Sequence, residues 1–321
     1  MGTILVTGAA GFIGTATCLR LLGRGDRVVG LDNLCDYYSP AQKRDNLKEL
    51  HSAGGNFEFI EGDIRDEAGL ARLFTREKPD AIIHLAAMAG VRASQDNPGL
   101  YADVNLRGTL NLLDQAVAHG LPNCVLASTS SAYGNTERVP FDESDPCDRP
   151  LAPYPATKRA AELLAYSYHH LHGLDVTALR FFTVYGPRNR PDMMPYLLME
   201  SMLKGTPIRL YQGGAVRRDW TFVEDIVSGV VAAADRRLGY EIINLGRGEP
   251  ILLSEFVSEL SQLSGKEPNS QAAPLPAADV SLTYAKIDKA RRLLGYDPKI
   301  SVPEGLKAFY GWYTSRSGSS A

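Results

Sequence analysis

Gly8-Ala9-Ala10-Gly11-Phe12-Ile13-Gly14 follows directly on Thr3–Thr7, a short run of β-branched and apolar residues. Such a run reads as a buried parallel strand. A helical pattern then continues through Leu22. Strand, glycine loop and helix in this order leave few folds open. The glycines allow a tight turn and close approach of another backbone, and the helix behind them presents unpaired N–H groups. A pyrophosphate fits that helix N-terminus, as in the first half of a dinucleotide-binding βαβ unit. The spacing is Gly-x-x-Gly-x-x-Gly rather than the commoner Gly-x-Gly-x-x-Gly, and a plain strand–helix turn is the competing reading. Gly8, Gly11, Phe12, Ile13 and Gly14 are the first candidate cofactor contacts.

The chain beyond keeps the same rhythm. Arg27–Leu31 reads as a second strand ending at Asp32 and Asn33. A carboxylate there accepts hydrogen bonds from the adenosine ribose and repels a 2′-phosphate, which points to NAD rather than NADP. The next stretch, Asp36 to Arg44, is too polar for core. Its Lys43 and Arg44 are candidates for cofactor phosphate, with solvated charges as the better expectation. Phe57–Ile60 is a third strand, and Asp63 with Ile64 after it stands where an adenine edge can be hydrogen-bonded. Ala81–Leu85 is a fourth, with Leu85, Ala86 and Ala87 small or apolar enough for a cofactor to approach. His84 is expected to be packed rather than catalytic. Leu100–His119 reads as one long helix carrying Asn105, Asn123–Ala127 as a fifth strand and Asp175–Phe182 as a sixth. This alternation predicts an α/β fold with a doubly wound parallel (Rossmann) sheet. Ligands then bind beyond the carboxyl ends of the strands, where Thr129 falls.

Tyr154-Pro155-Ala156-Thr157-Lys158 opens a further helical run. Spacing of four places Tyr154 and Lys158 one turn apart on one face. A phenol with a pKa near 10 is only ~0.1% ionised at pH 7. A neighbouring ammonium stabilises the phenolate, and the tyrosine can then take a proton from a sugar hydroxyl and return it. An ordinary surface pair on a helix is the bland alternative.

After residue 182 the texture changes. An irregular basic loop, Gly186 to Pro191, is followed by a helix near Met194–Leu203, a short strand Ile208–Tyr211, Arg217 and Arg218, a helix from Val223, and a strand at Glu241–Leu245. Two or three short helices with Pro-rich links complete a smaller C-terminal α/β lobe. The expected division is a dinucleotide-binding domain over 1–180 and a substrate lobe over 181–321, with the strand near 241–245 a candidate to return to the first. Arg188, Arg190, Arg217 and Arg218 suit phosphate or carboxylate.

The totals exclude several classes. With a net charge of −3, the 321-residue chain carries no overall field for nucleic acid or an anionic membrane. No apolar run spans a bilayer, and no leader is read before the first strand. The four cysteines lack Cys-x-x-Cys spacing and read as reduced thiols, so a cytoplasmic location is expected. His169, His170 and His172 lack partnering carboxylates or thiols, so no metal site is expected. The end from Ser315 to Ala321 looks frayed.

Together the glycine loop, Asp32, Asp63, Thr129, Tyr154 and Lys158 resemble the extended short-chain dehydrogenase/reductase family of nucleotide-sugar enzymes, over nearly the whole chain. Three stretches, Asp32 to Tyr38, His84 to Arg92 and Arg180 to Met193, are similar to its UDP-glucuronate 4-epimerase branch. The resemblance implies a seven-stranded NAD-binding sheet and a triad of Thr129, Tyr154 and Lys158. It implies that Arg218 grips the UDP diphosphate, that Tyr211 lies near uracil and that Asp279 contacts the uridine ribose. Thr183 stands where galactose epimerases carry Asn, and Pro276 where they carry Arg. Arg190, with the hydroxyls of Thr129, Ser130 and Ser131, is expected to hold a sugar carboxylate. Thr129-Ser130-Ser131 lacks the Glu found in decarboxylases and 4,6-dehydratases of the family, which disfavours both. The expected reaction is NAD-dependent C4 epimerisation of UDP-glucuronate to UDP-galacturonate by a homodimer paired through the helices near 100–119 and 155–171. UDP-galactose 4-epimerase and a non-catalytic NAD-binding protein of the same fold are the alternatives.

Overall fold

The computed structural model describes residues 2–317. Residues 318–321 of the expected frayed tail lie outside the described residues, and the last helix carries the chain through Ser317.

The first half alternates strand and helix: β1 (Thr3–Thr7), α1 (Phe12–Arg24), β2 (Arg27–Asp32), α2 (Pro40–Ser52), β3 (Asn56–Glu61), α3 (Glu67–Glu77) and β4 (Ala81–His84). Short α4 (Ala93–Asp96) and α5 (Pro98–Ala102) precede α6 (Gly108–Ala118), β5 (Asn123–Thr129), α7 (Pro153–His172) and β6 (Asp175–Phe181). The second half runs β7 (Thr183–Tyr185), α8 (Met194–Lys204), β8 (Ile208–Tyr211), β9 (Arg217–Arg218), β10 (Trp220–Phe222), α9 (Val223–Ala234) and β11 (Tyr240–Leu245). It closes with β12 (Ile251–Leu252), α10 (Leu253–Ser264), β13 (Ser270–Ala273), α11 (Asp288–Leu294) and α12 (Val302–Ser317).

Seven strands form one sheet in the order β11-β6-β5-β4-β1-β2-β3, and every pairing is parallel. The order reverses between β1 and β4, and a crevice opens there at the strands' carboxyl ends. Both faces are covered, which is why the inner strands are mostly apolar, while the edge strand β3 carries Asn56, Glu58 and Glu61 and is only partly buried. Ile4, Val6, Val125 and Ala127 face α1 and α9, while Leu5, Cys124 and Leu126 face α3, α6 and α7. The doubly wound Rossmann sheet is as expected. Three two-stranded ladders, β7 with β10, β9 with β12 and β8 with β13, accompany the sheet in the second half of the chain.

Several details differ from the sequence reading. The sixth strand stops at Phe181; Phe182 turns away, its N–H donating to Leu245 O at 3.0 Å, before β7 pairs with β10. The long helix expected over 100–119 is broken by a π turn at Asp103–Arg107, which carries Asn105. Insertion of one residue per turn rotates Asn105 inward. Its amide brackets Met88, accepting from Met88 N at 2.9 Å and donating to Met88 O at 3.0 Å, and also donates to Thr157 Oγ1 at 3.0 Å. The polar stretch near 36–44 is not a solvated loop. It leads into α2, whose Gln42, Lys43 and Asn46 are buried. Polarity there serves buried contacts, such as Asn46 Nδ2 donating to Ala10 O at 2.9 Å.

Candidate active site

A cavity of about 560 Å³ lies over the carboxyl ends of β1, β2, β4 and β5. Gly8, Gly11, Phe12, Ile13 and Gly14 line one side. Gly8 has φ +71°, and a Cβ there would sit 2.8 Å from Ala86 N. A Cβ on Gly14 would fall 1.9 Å from Gly8 O. Only glycine lets α1 begin this close to β1. No side chain caps α1 and no acid stands in its first turn, so its first N–H groups and positive dipole end face the cavity. The donor set and the glycine cradle fit a dinucleotide pyrophosphate.

Asp32 and Asn33 line the far end with Lys43. Asp32 accepts from Leu34 N at 2.8 Å and Ala10 N at 3.2 Å, and Lys43 Nζ stands 3.5 Å away. Lys43 is almost fully buried and also donates to Cys35 Sγ at 3.2 Å, so the expectation of a solvated charge fails for it. A lysine there is kept in place by its carboxylate partner. Asp63 and Ile64 line the wall beside them. Asp63 is held by Arg65, with Nη2 to Oδ2 at 2.8 Å and Nε to Oδ1 at 3.0 Å, and accepts from Asn33 Nδ2 at 2.9 Å. Arg65, first among these donors, pulls its pKa down to about 2. Leu85, Ala86 and Ala87 form the floor.

His84, just below that floor, is buried between Thr7 Oγ1 at 2.7 Å and Thr109 Oγ1 at 3.0 Å. Thr109 already donates its own proton to Asn105 O, so His84 Nε2 donates and Nδ1 accepts. Burial pushes its pKa down to about 3. It is a neutral structural residue.

Tyr154 and Lys158 enter the cavity from the first turns of α7. Tyr154 rests edge-on against Tyr101, centroids 6.2 Å apart. Burial raises the Tyr154 pKa, opposed by the Thr129 hydroxyl and by the Arg190 charge. Thr129 Oγ1 accepts from Ser131 N at 3.1 Å, so its own proton is free for the phenol oxygen. Lys158, expected to lower the Tyr154 pKa further, is itself desolvated. Burial depresses its pKa from 10.5 to about 8, against the Glu162 carboxylate, which raises it.

Glu162 continues the row Tyr154, Lys158, Glu162 along α7, and its role escaped sequence reading. It is fully buried, bidentate with Arg180 at 2.9 and 2.8 Å, and accepts from Arg159 at 3.0 Å and from Ser128 Oγ at 2.5 Å. This ties β5 to α7 beside Thr129. The repeated spacing of four was the available signal.

The substrate-side candidates fall into two groups, and of them Arg190 lines the cavity itself. Thr129, Ser130 and Ser131 follow one another from the end of β5 into a short 3₁₀ turn. Arg190 reaches the cavity wall from the loop after β7, which Thr183 opens. Its fork is bound to Asp192, Nε to Oδ1 and Nη2 to Oδ2, both at 2.9 Å. The second group joins Tyr211, Arg218 and Asp279. Arg92, from the loop after β4, bonds Asp279 Oδ2 at 2.9 Å and lies 4.7 Å from the Tyr211 ring centre. Asp279 and Arg92 are also the charges that act on Arg218. The neighbouring Asp219 fixes the base of this group, accepting from the backbone of Arg247, Gly248 and Ala285 at 2.7 to 3.0 Å. Arg92 was assigned no role from sequence. Only folding brings it to residues more than a hundred positions away. Arg188 is engaged elsewhere, in an ion pair with Glu49. Among the described residues no group of His, Cys, Asp and Glu could hold a metal ion.

The chain belongs to the NAD-dependent epimerase/dehydratase family, whose model matches residues 4–246. A UDP-glucuronate 4-epimerase from Thermodesulfobacterium geofontis is 45% identical over 313 residues, covering 97% of this chain and 96% of that protein. The crystal structure of Bacillus cereus UDP-glucuronic acid 4-epimerase in complex with UDP-glucuronic acid and NAD superposes with a TM-score of 0.91 at 34% identity, covering 98% of this chain and 99% of that one. A UDP-glucose 4-epimerase from Thermotoga maritima, solved with UDP-glucose, has a TM-score of 0.89 at 30% identity, with 98% and 99% covered.

Proposed function

We propose that this protein is an NAD-dependent UDP-glucuronate 4-epimerase, interconverting UDP-glucuronate and UDP-galacturonate. The observation that carries the reading is the meeting of Tyr154, Lys158 and the glycine cradle around one cavity, in a chain 45% identical to a UDP-glucuronate 4-epimerase. NAD held there would supply the hydride exchange at sugar C4, with return to the opposite face. Tyr154 removes the proton of the C4 hydroxyl and later restores it, with Thr129 hydrogen-bonded to the same oxygen. Lys158 holds the nicotinamide ribose, and Asp32 the adenosine ribose. Tyr211, Arg218 and Asp279 hold UDP, which leaves the sugar free to turn while the nucleotide stays fixed. Ser130, Ser131 and Arg190 hold the carboxylate.

Two further points belong to this reading. Leu163, Tyr166 and Leu171 expose 52%, 52% and 70% of their surface on α7, which supports a homodimer built on that helix. Its test is the mass of the species in solution by light scattering. All four cysteines are free thiols and no described helix is long and apolar enough to cross a membrane, which supports a cytoplasmic location.

The deciding experiment is NMR of the purified protein with UDP-glucuronate. UDP-galacturonate is the expected product. A UDP-pentose, or turnover of UDP-galactose with none of UDP-glucuronate, would overturn the assignment.

A further inference from the structure

Arg190 is held on more sides than a substrate contact requires. Its backbone N–H donates to Asn189 Oδ1 at 2.8 Å, and its carbonyl accepts from Met193 N at 3.1 Å. Gln42 of α2 donates to the carbonyls of Arg188 and Asn189 at 3.2 and 3.1 Å, tying the loop to the helix that follows Asp32. The guanidinium meets Asp192 side-on, through Nε and Nη2. Asp192 is in turn fixed by the Tyr37 hydroxyl, which donates to Oδ2 at 3.2 Å, and the Arg190 guanidinium lies 5.8 Å from the Tyr37 ring centre.

This arrangement leaves one end of the fork open. A guanidinium has five N–H donors. Nε and Nη2 serve Asp192, with Nη2 also near Met193 Sδ at 3.5 Å. Nη1 has no partner among the described residues, and Arg190 lines the cavity that holds Tyr154 and Lys158. A second carboxylate can therefore meet Nη1 without displacing the first.

We propose that Asp192 is a positioning residue for the sugar carboxylate: with Tyr37 it locks Arg190 side-on so that its Nη1 end is presented, already oriented, to a uronate. The inference rests on the UDP-glucuronate reading and names a device behind it. The chemistry explains why orientation matters. Oxidation at C4 makes a β-keto acid, which loses carbon dioxide when the carboxylate bond stands perpendicular to the ketone plane. Electrons of that bond then flow into the carbonyl, carbon dioxide departs, and a proton is taken up at the carbon left behind. An arginine free to swing would follow the carboxylate into that geometry. One locked from behind resists it while the ring turns. Asp192 also neutralises Arg190, so the site holds the uronate by geometry more than by net charge.

The test compares Asp192→Asn with wild type as the NAD-bound enzyme. Asparagine keeps the shape but loses the charge and one acceptor. KM for UDP-glucuronate should rise about tenfold, the usual effect of weakening a hydrogen bond to a charged group. The Kd for UDP should stay within about twofold, and mass spectrometry should find a several-fold larger share of 4-keto pentose. Tyr37→Phe should move the same readouts in the same direction by less. A lower KM in Asp192→Asn would show that Asp192 competes with the substrate, and overturns the proposal. Equal weakening of UDP and UDP-glucuronate, or an unchanged KM and product ratio, overturns it as well. Failure of the wild type to convert UDP-glucuronate would instead remove the functional reading. The ratio of UDP-glucuronate to UDP affinity in the variant still tests the positioning by itself.

Discussion

Lys158→Met should stabilise the cofactor-free protein at pH 7 while removing its activity. Lys158 is 2% exposed, and among the described residues no carboxylate forms an ion pair with its ammonium. Burial lowers its pKa from the ordinary 10.5 to about 8. Because the native value lies below the unfolded one, the unfolded chain binds more protons between pH 8 and 10.5, and stability must rise with pH through that window. At pH 7 the buried ammonium costs about 3 kcal/mol, from about 1.36 kcal/mol for each pH unit between the two values. By pH 9.5 the remaining cost is about 1 kcal/mol. Methionine fills nearly the same volume with no charge, so the gain over wild type should be largest at pH 7 and shrink toward pH 9.5. Denaturant unfolding of cofactor-stripped protein at both pH values measures this, alongside turnover of UDP-glucuronate. A variant less stable than wild type at pH 7, or a gain independent of pH, would refute the claim that this lysine is held against its solvation preference. The physical meaning is functional: a site that stores this cost unliganded recovers it when a partner for the ammonium arrives.

Other outcomes follow from the same geometry. Tyr154→Phe should lower turnover by about 10²- to 10⁴-fold, the range for a lost acid–base group, while the purified protein retains NAD, because the ring's contact with Tyr101 survives; more than a tenth of wild-type rate would remove Tyr154 as the base. Cofactor-stripped protein should bind NAD more tightly than NADP by calorimetry, because the Asp32 carboxylate would face the added phosphate; equal affinities would overturn that role. Gly14→Ala should abolish NAD retention and lower the melting temperature, since the new Cβ falls 1.9 Å from Gly8 O and the obstacle is backbone that cannot swing aside; NAD content by absorbance and a thermal melt decide it.

Much of the fold and half of the candidate site were legible in the chain itself, because they depend on local order. Buried parallel strands need unbroken apolar runs, a pyrophosphate loop needs glycine at the strand–helix turn, and a tyrosine and lysine one helical turn apart share a face whatever surrounds them. Those signals are short in range, and they placed the glycine cradle, Asp32, Tyr154 and Lys158 at one end of one sheet. The electrostatics were not legible, because desolvation is a property of what packs around a group. Lys158 was expected to tune Tyr154, and burial perturbs Lys158 itself as well. Lys43 was expected in solvent, and Asp32 and Cys35 enclose it. The π turn that rotates Asn105 inward and the phenol of Tyr37 bonded to Asp192 have no sequence signature. Nor does the approach of Arg92 to Asp279, 187 positions away. Tertiary structure alone decided these, since each rests on a distance between segments that the chain's order does not set.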